Sequence, residues 1–319
     1  MKVLITGGAG FIGSNFVRRC ISGKYPSLTE LIVLDALTYA GNIQNLSEVR
    51  NAPNLQFVQG DICDKNVVES LVAESDCIIN FAAESHVDRS IIDASSFAET
   101  NFIGVLTLLE SAKLHKKRLV QVSTDEVYGS IEHGLWKESA PLEPNSPYSA
   151  SKAAGEMLCR AFNRTHGLDV VTTRSSNNYG PYHHPEKLIP RAIINVLTGK
   201  PIEIYGTGTN SRDWLHVDDH CDGIYLALTR GKSGEVYNLG GGNESTNLAL
   251  INQLLSLMES FNGTYTFITD RKGHDFRYAV DTNKAQMELG FKPRIEFAEG
   301  LRDVIDWYIS NKKWWNELI

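Results

Sequence analysis

Along the first half of the chain, short apolar runs rich in Val, Ile and Leu alternate with longer segments of helical period. The runs are KVLIT (2–6), ELIVLD (30–35), LQFVQG (55–60), DCIINFAA (76–83), RLVQVS (118–123) and LDVVTTR (168–174). Most are apolar on successive residues rather than on every second one, the texture of strands buried on both faces in a parallel sheet covered by helices. The predicted class is α/β, a doubly wound parallel sheet, whose ligands would sit beyond the carboxyl ends of the strands.

After Arg174 the texture changes to Gly, Pro, Asn and His, as in SSNNYGPYHHPEK (175–187) and YGTGTNSRDW (205–214). That predicts loops and short elements of a second, smaller, substrate-binding domain. HVDDHCDGIYLALT (216–229) reads as a helix and EVYNLGG (235–241) as a strand. The expected division is therefore a nucleotide-binding domain over 1–176, with 215–240 returning to it, and a substrate domain over 177–319. Long apolar helices are expected from about Phe97 to Leu114 and from Tyr148 to Phe162, the latter with Met157, Leu158, Ala161 and Phe162 on its packed back.

Composition narrows the classes. With 38 acidic against 31 basic residues among 319, net −7, the chain is poorly suited to nucleic acid or an anionic membrane. Five cysteines, at 20, 63, 77, 159 and 221, form no CxxC and suggest neither zinc nor a disulfide framework. No run of about 18 apolar residues predicts a membrane span, and Lys2 opens a strand at once, so no signal peptide and a cytoplasmic location are expected.

The first strand leads into TGGAGFIGSN, where Gly8, Gly10 and Gly13 satisfy GxGxxG between a strand and a helix, and Gly7 adds a GxxGxxG reading. Glycines there let backbone N–H groups approach a pyrophosphate at a helix N-terminus, the Rossmann-type arrangement. Asp35 ends the second strand 22 residues past Gly13, at the spacing of an acid that binds a ribose hydroxyl pair. Its charge, and the absence of arginine in the following Ala36, Leu37 and Thr38, favour NAD over NADP. Asp61, after the third strand, is placed either to contact adenine or to cap its own turn.

Tyr148 and Lys152 lie at i and i+4, one turn apart on a helix that opens just past the fifth strand. An ammonium beside a phenol favours the phenolate, giving a base for a substrate hydroxyl. Tyr308 and Lys312 match the same spacing without a glycine loop or strand end nearby and read as structural. Thr124 offers a hydroxyl to the same oxygen, and Asp125 and Glu126 follow it. Two carboxylates crowded in a desolvated site do not both ionise easily, which supplies one acid and one base; a polar turn is the plainer account of such a pair. Both can enter one site only if the strand has ended by Ser123 or Thr124, because successive strand residues point to opposite faces.

Together these motifs resemble the extended short-chain dehydrogenase/reductase superfamily. FAAESHVDRS, STDEVYGS, PNSPYSASKA, RSSNNYGPYHHPEKLIP, SRDWLHVDDH and DRKGHDFRY resemble the dTDP-glucose 4,6-dehydratase family over nearly the whole chain. Thr207 stands where that family more often has Asp. The resemblance implies an NAD enzyme in which Tyr148, Thr124 and Lys152 oxidise the sugar at C4, Glu126 removes the C5 proton and Asp125 protonates the departing 6-hydroxyl. It implies cofactor contacts at Gly7, Gly10, Phe11, Ile12, Gly13, Asp35, Leu37, Thr38, Asp61, Ile62, Ala82, Ala83, Ser85, Asn101, Tyr148, Lys152 and Asn178. For the substrate it implies Ser85, Thr124, Asn177, Glu186, Lys187, Leu188, Tyr205, Arg212, Asn247, Arg271 and His274. Arg212 is the first choice for the diphosphate, although a surface pairing with Asp213 fits the residues as well, and Asn101 is placed either to touch the cofactor or to bond another helix. A homodimer through the two long helices is likewise implied. The adjacent His183 and His184 lack a third ligand at suitable spacing, so no metal is expected. A sugar-nucleotide 4-epimerase or decarboxylase would keep the redox pair but have no use for the second acid; a non-catalytic NAD-sensing protein need not keep the pair.

Overall fold

The computed structural model describes all 319 residues. Seven strands form one parallel sheet: β1 (Lys2–Thr6), β2 (Glu30–Asp35), β3 (Leu55–Gln59), β4 (Cys77–Asn80), β5 (Arg118–Thr124) and β6 (Val170–Ser175), joined by β10 (Val236–Leu239). Between β6 and β10 the chain makes β7 (Asn177–Tyr179), β8 (Ile202–Tyr205) and β9 (Ser211–His216), and after β10 it makes β11 (Glu244–Thr246) and β12 (Tyr265–Ile268). The main sheet runs β10-β6-β5-β4-β1-β2-β3, so strand order reverses between β1 and β4. A crevice opens at that reversal, beyond the strands' carboxyl ends.

The period of two sorts the strand side chains between two apolar layers. Val3, Ile5, Val33 and Val120 face the helices Phe11–Ile21 and Val217–Arg230, while Leu4, Ile32, Leu34 and Leu119 face the helices Lys65–Ala73, Val105–His115 and Pro147–His166. A separate core, containing Tyr179, Ile193, Trp214, Leu254, Leu301, Tyr308 and Trp315, holds the smaller region together. There β11, β9 and β7 form one small sheet and β12 pairs with β8. β10 lies parallel to β6, and the chain reaches the larger core again with Ala285, Leu289 and Phe291, a return that the sequence pattern does not suggest. No helix is long and apolar enough to cross a membrane.

Three elements differ from expectation. The strand drawn over 76–83 stops at Asn80, and residues 81–83 run along the crevice wall instead. The helix expected from Phe97 to Leu114 is broken into Ser95–Ala98, a widened π turn at Glu99–Gly104 and Val105–His115. That turn directs Asn101 onto the backbone of Glu84, accepting from its N–H at 3.0 Å and donating to its carbonyl at 2.9 Å. The third difference is the face of the helix Pro147–His166. Ala153, Gly155, Glu156 and Cys159 are buried, whereas Met157 and Ala161 are exposed and Leu158 and Phe162 half-buried. Gly155 explains the rotation, since a Cβ there would lie 2.5 Å from the carbonyl of Asn101, so this face carries the close approach of two backbones.

The helix itself starts sharply. Ser146 and Ser149 form a reciprocal cap, Pro147 occupies the first turn, and Gly167 ends the helix with φ +66°. Beneath it Arg174 donates from Nε and Nη2 to Glu156 Oε2 at 2.9 and 2.6 Å, and from Nη1 to the Tyr128 hydroxyl at 2.6 Å. Removing one partner leaves a buried uncompensated charge, so Glu156→Gln is expected to lower stability by about 3–5 kcal/mol. Urea unfolding followed by circular dichroism checks this; an unchanged midpoint would mean that the pair is not seated as described.

Candidate active site

The crevice begins at the glycine loop. Gly7 adopts φ +67°, and a Cβ on it would lie 2.5 Å from the amide nitrogen of Ala82; one on Gly13 would lie 2.3 Å from the carbonyl of Gly7. The loop is therefore closed to side chains and presents backbone to the cavity, as a pyrophosphate requires. Asp35 is buried, accepting from the amides of Ala9 and Leu37 at 2.8 Å each. Burial pushes its carboxyl up, and those backbone donors oppose the shift. Asp61 lines the cavity and caps its own turn, accepting from the amide of Cys63 at 2.8 Å.

On the opposite wall β5 ends at Thr124, whose extended backbone (φ −138°, ψ 151°) caps a 3-10 turn over Asp125–Tyr128. Both carboxylates follow the end of the strand, and both line the cavity together with Thr124, Tyr148 and Lys152. Their surroundings differ. Asp125 is buried, with Glu126 and Asp213 as negative neighbours, and its Oδ2 has no hydrogen-bond partner in the protein. Burial first, and Glu126 next, hold its carboxyl well above the usual carboxylate range. Burial also raises Glu126, but Arg212, Lys187 and Arg271 oppose the rise. Of the two, Asp125 is the carboxyl that holds a proton more tightly, and Glu126, facing three cations, gives its proton up more readily.

Tyr148 and Lys152 depart from expectation in one respect. Lys152 donates to the carbonyl of Val122 at 2.8 Å, and burial pulls its ammonium down to about 8. Burial and Glu126 push the Tyr148 phenol up, and the hydroxyl of Thr124, not Lys152, is the neighbour that favours its ionisation. Tyr148 therefore holds its proton more tightly than a free phenol, while Lys152 is seated on the Val122 carbonyl.

Gly7, Gly10, Phe11, Ile12, Gly13, Asp35, Thr38, Asp61, Ile62, Ala82, Ala83, Ser85, Asn177, Asn178, Glu186, Lys187 and Leu188 all line this same cavity. Lys187 closes over it, donating to the carbonyl of Ser85 at 2.8 Å. Seven expected contacts do not line it. Leu37 turns aside with φ +53°, and Asn101 is occupied by Glu84 and by Ser151, to which it donates at 2.9 Å. Arg212 donates to the carbonyls of Ser211 and Asp275 at 2.7 and 2.9 Å and lies over the Tyr278 ring. Arg271 pairs with Asp88 at 2.9 Å and covers Tyr205, His274 meets Asp270 at 2.7 Å, and Asn247 opens the helix Asn247–Leu257. Asn101, Arg212, Arg271 and His274 are thus each engaged by a neighbouring carbonyl, hydroxyl or carboxylate of the protein.

The cavity also contains residues that sequence reasoning missed, among them Ser123, Ser176, Trp214, Trp314 and Leu318. Ser123, Asp125, Ser176, Asn177, His183, Glu186 and Trp214 each keep a buried polar atom without a protein partner. Such atoms are costly to leave unmet, and their convergence on one cleft marks it as built for a polar ligand. Neither His183, stacked on Phe11 at 4.2 Å, nor His184, edge-on to Tyr39, joins a metal-holding group.

The model of the GDP-mannose 4,6 dehydratase family matches residues 4–304. The chain belongs to this family. Among its relatives, the dTDP-glucose 4,6-dehydratase of Streptomyces niveus is 53% identical over 321 residues, covering 100% of this chain and 96% of that one. The crystal structure of DesIV, a dTDP-glucose 4,6-dehydratase from Streptomyces venezuelae solved with NAD and dTDP bound, is 52% identical and superposes with a TM-score of 0.97 over 100% of both chains. A more distant member of the fold, the UDP-glucuronic acid 4-epimerase of Bacillus cereus, is 28% identical with a TM-score of 0.91, covering 97% of this chain and 99% of that one. The frame is thus shared with epimerases.

Proposed function

We propose that the protein is an NAD-dependent dTDP-glucose 4,6-dehydratase, converting dTDP-glucose to dTDP-4-dehydro-6-deoxyglucose and water. The observation that carries this reading is a pair of adjacent buried carboxylates in unlike surroundings, set beside a tyrosine and a lysine in the same cavity. The side-chain-free glycine loop and the buried Asp35 fit a dinucleotide carrying an unphosphorylated ribose. When bound, NAD supplies the hydride acceptor at C4 and the hydride donor at C6.

Tyr148, oriented by Thr124 and acting as a phenolate that the charge on Lys152 stabilises, takes the proton of the 4-hydroxyl and becomes a phenol. Oxidation makes C5 acidic, because it now lies beside a carbonyl. Glu126 removes that proton, and Asp125 delivers its own to the 6-hydroxyl, which departs as water. Glu126 then returns a proton to C5, and the proton that Tyr148 took from the 4-hydroxyl replaces the one that Asp125 lost to water, so each catalytic group ends the cycle as it began. Lys187, Glu186 and Asn177 bind the nucleotide sugar along the cavity wall. Arg212 and Arg271 reach it by exchanging their present carbonyl and Asp88 partners for phosphate oxygens, to which a guanidinium fork is well matched.

Two copies of the chain associate through the helices Val105–His115 and Pro147–His166 and the adjoining π turn, which leave Leu114, Met157 and Ile103 exposed. Nucleobase choice is tested by comparing turnover of dTDP-glucose, UDP-glucose and GDP-mannose. The reading expects the highest kcat/KM with dTDP-glucose, by about tenfold or more if a base-specific contact worth about 1.4 kcal/mol exists. Preference for GDP-mannose would overturn the assignment of substrate while leaving the chemistry.

A further inference from the structure

The C-terminal end of the chain, built on the core of the smaller region through the buried Trp315, reaches back across to the nucleotide side of the cavity. Trp314 and Leu318 line that cavity together with Gly10, Asn42 and Asn45. The indole N–H of Trp314 donates to Oδ1 of Asn45 at 2.9 Å, and the buried Asn45 donates from Nδ2 to the carbonyl of Ala9 at 2.9 Å. The amide of Ala9 in turn donates to Asp35. A continuous line of hydrogen bonds thus runs from the last helix, Lys312–Asn316, through the middle of the glycine loop to the acid at the end of β2.

Aromatic packing holds the indole in place from the other side. Tyr182, at φ +64°, has its ring centroid 5.5 Å from that of Trp314 and 4.6 Å from that of Trp307, with the Arg18 guanidinium 4.1 Å over its own ring. Arg18 also donates to the Asn45 carbonyl at 2.6 Å. Residues from four separate places in the chain converge on this corner, although the reaction proposed above involves none of them.

We propose that Trp314 is a dinucleotide-binding residue, and that the C-terminal segment Lys312–Ile319 is a clasp that keeps NAD in the cleft. The inference rests on NAD being the cofactor. A cofactor that is oxidised and reduced within each turnover has no need to leave, and a clasp from the substrate side joins the two halves of the cleft around it. Trp314 acts in two ways: its ring covers the cavity, and its N–H fixes Asn45 and hence the Ala9 peptide against which the pyrophosphate would rest.

Titration of the full-length protein with NAD, by calorimetry, tests this. Trp314→Ala is expected to raise the NAD Kd about tenfold or more, the loss of one good contact, and Trp314→Phe, which keeps a ring but no donor, to raise it by less. Trp315 is left in place in both, and unchanged thermal unfolding without NAD would separate lost binding from lost fold. If Trp314→Ala unfolds early, Asn45→Asp provides the second arm, since it keeps an acceptor for the indole but removes the donor to Ala9; it too is expected to weaken NAD. Wild-type affinity in folded Trp314→Ala, or in Asn45→Asp should the former not fold, overturns the clasp. Failure of the wild-type protein to bind NAD at all would instead overturn the cofactor on which it rests.

Discussion

Glu126→Gln is expected to lower turnover of dTDP-glucose by about 10²–10⁴-fold, the usual worth of a positioned general base, while oxidation at C4 continues. Reduced nicotinamide should therefore accumulate on the enzyme after mixing and be visible in its near-ultraviolet absorbance. The reasoning is local. Glu126 faces Arg212, Lys187 and Arg271, which oppose the effect of its burial, so it is the member of the pair that ionises more readily. Asp125→Asn should instead leave C5 proton exchange with solvent in place and slow the departure of water, since burial and Glu126 favour the protonated form of Asp125. Near-wild-type turnover in both variants would reduce the two acids to a polar turn and return the protein to the epimerase-like members of its fold.

Tyr148→Phe is expected to have the larger effect on the first step: no reduced nicotinamide appears, and kcat/KM falls by about 10²–10⁴-fold. The pH dependence follows from Lys152. Its ammonium, pulled down by burial to about 8, is present below that pH and lost above it, so kcat/KM should fall on the alkaline side with a midpoint near pH 8. Lys152→Arg, which does not titrate there, should remove that limb even though its overall rate is lower. Stability changes in the opposite sense. Because the unfolded lysine keeps its proton up to the ordinary value of 10.5 and the folded one does not, this group makes the protein more stable as pH rises from about 8 to about 10.5. An alkaline limb unchanged by Lys152→Arg would assign it to another group.

What was legible in the sequence was what the chain holds close together. The glycine loop, Tyr148 with Lys152, and Asp125 with Glu126 are each set by a few consecutive residues and one strand end, and Asp35 by a single strand. The strands of the large sheet and their parallel, doubly wound class followed from their apolar texture. The π turn at Glu99–Gly104 was not legible, because apolar periodicity continues through it and the reason for it is the close approach of Gly155 from another helix. Nor were Trp214, Trp314, Leu318 and Ser176, which reach the cavity only once the smaller region has folded against the sheet. The exposure of Met157 was missed because the buried face of its helix is set by the close approach of Gly155 to Asn101. Arg271 and His274 entered through resemblance alone; Asp88 and Asp270 engage them in the protein by itself.

The central claim is that oxidation, loss of water and reduction happen at one site on one cofactor. Turnover of dTDP-glucose carrying deuterium at C4 tests it most directly. The account predicts that the label moves to C6 of the 6-deoxy product, with solvent hydrogen entering at C5. Deuterium retained at C4, or lost to solvent without reaching C6, would contradict it.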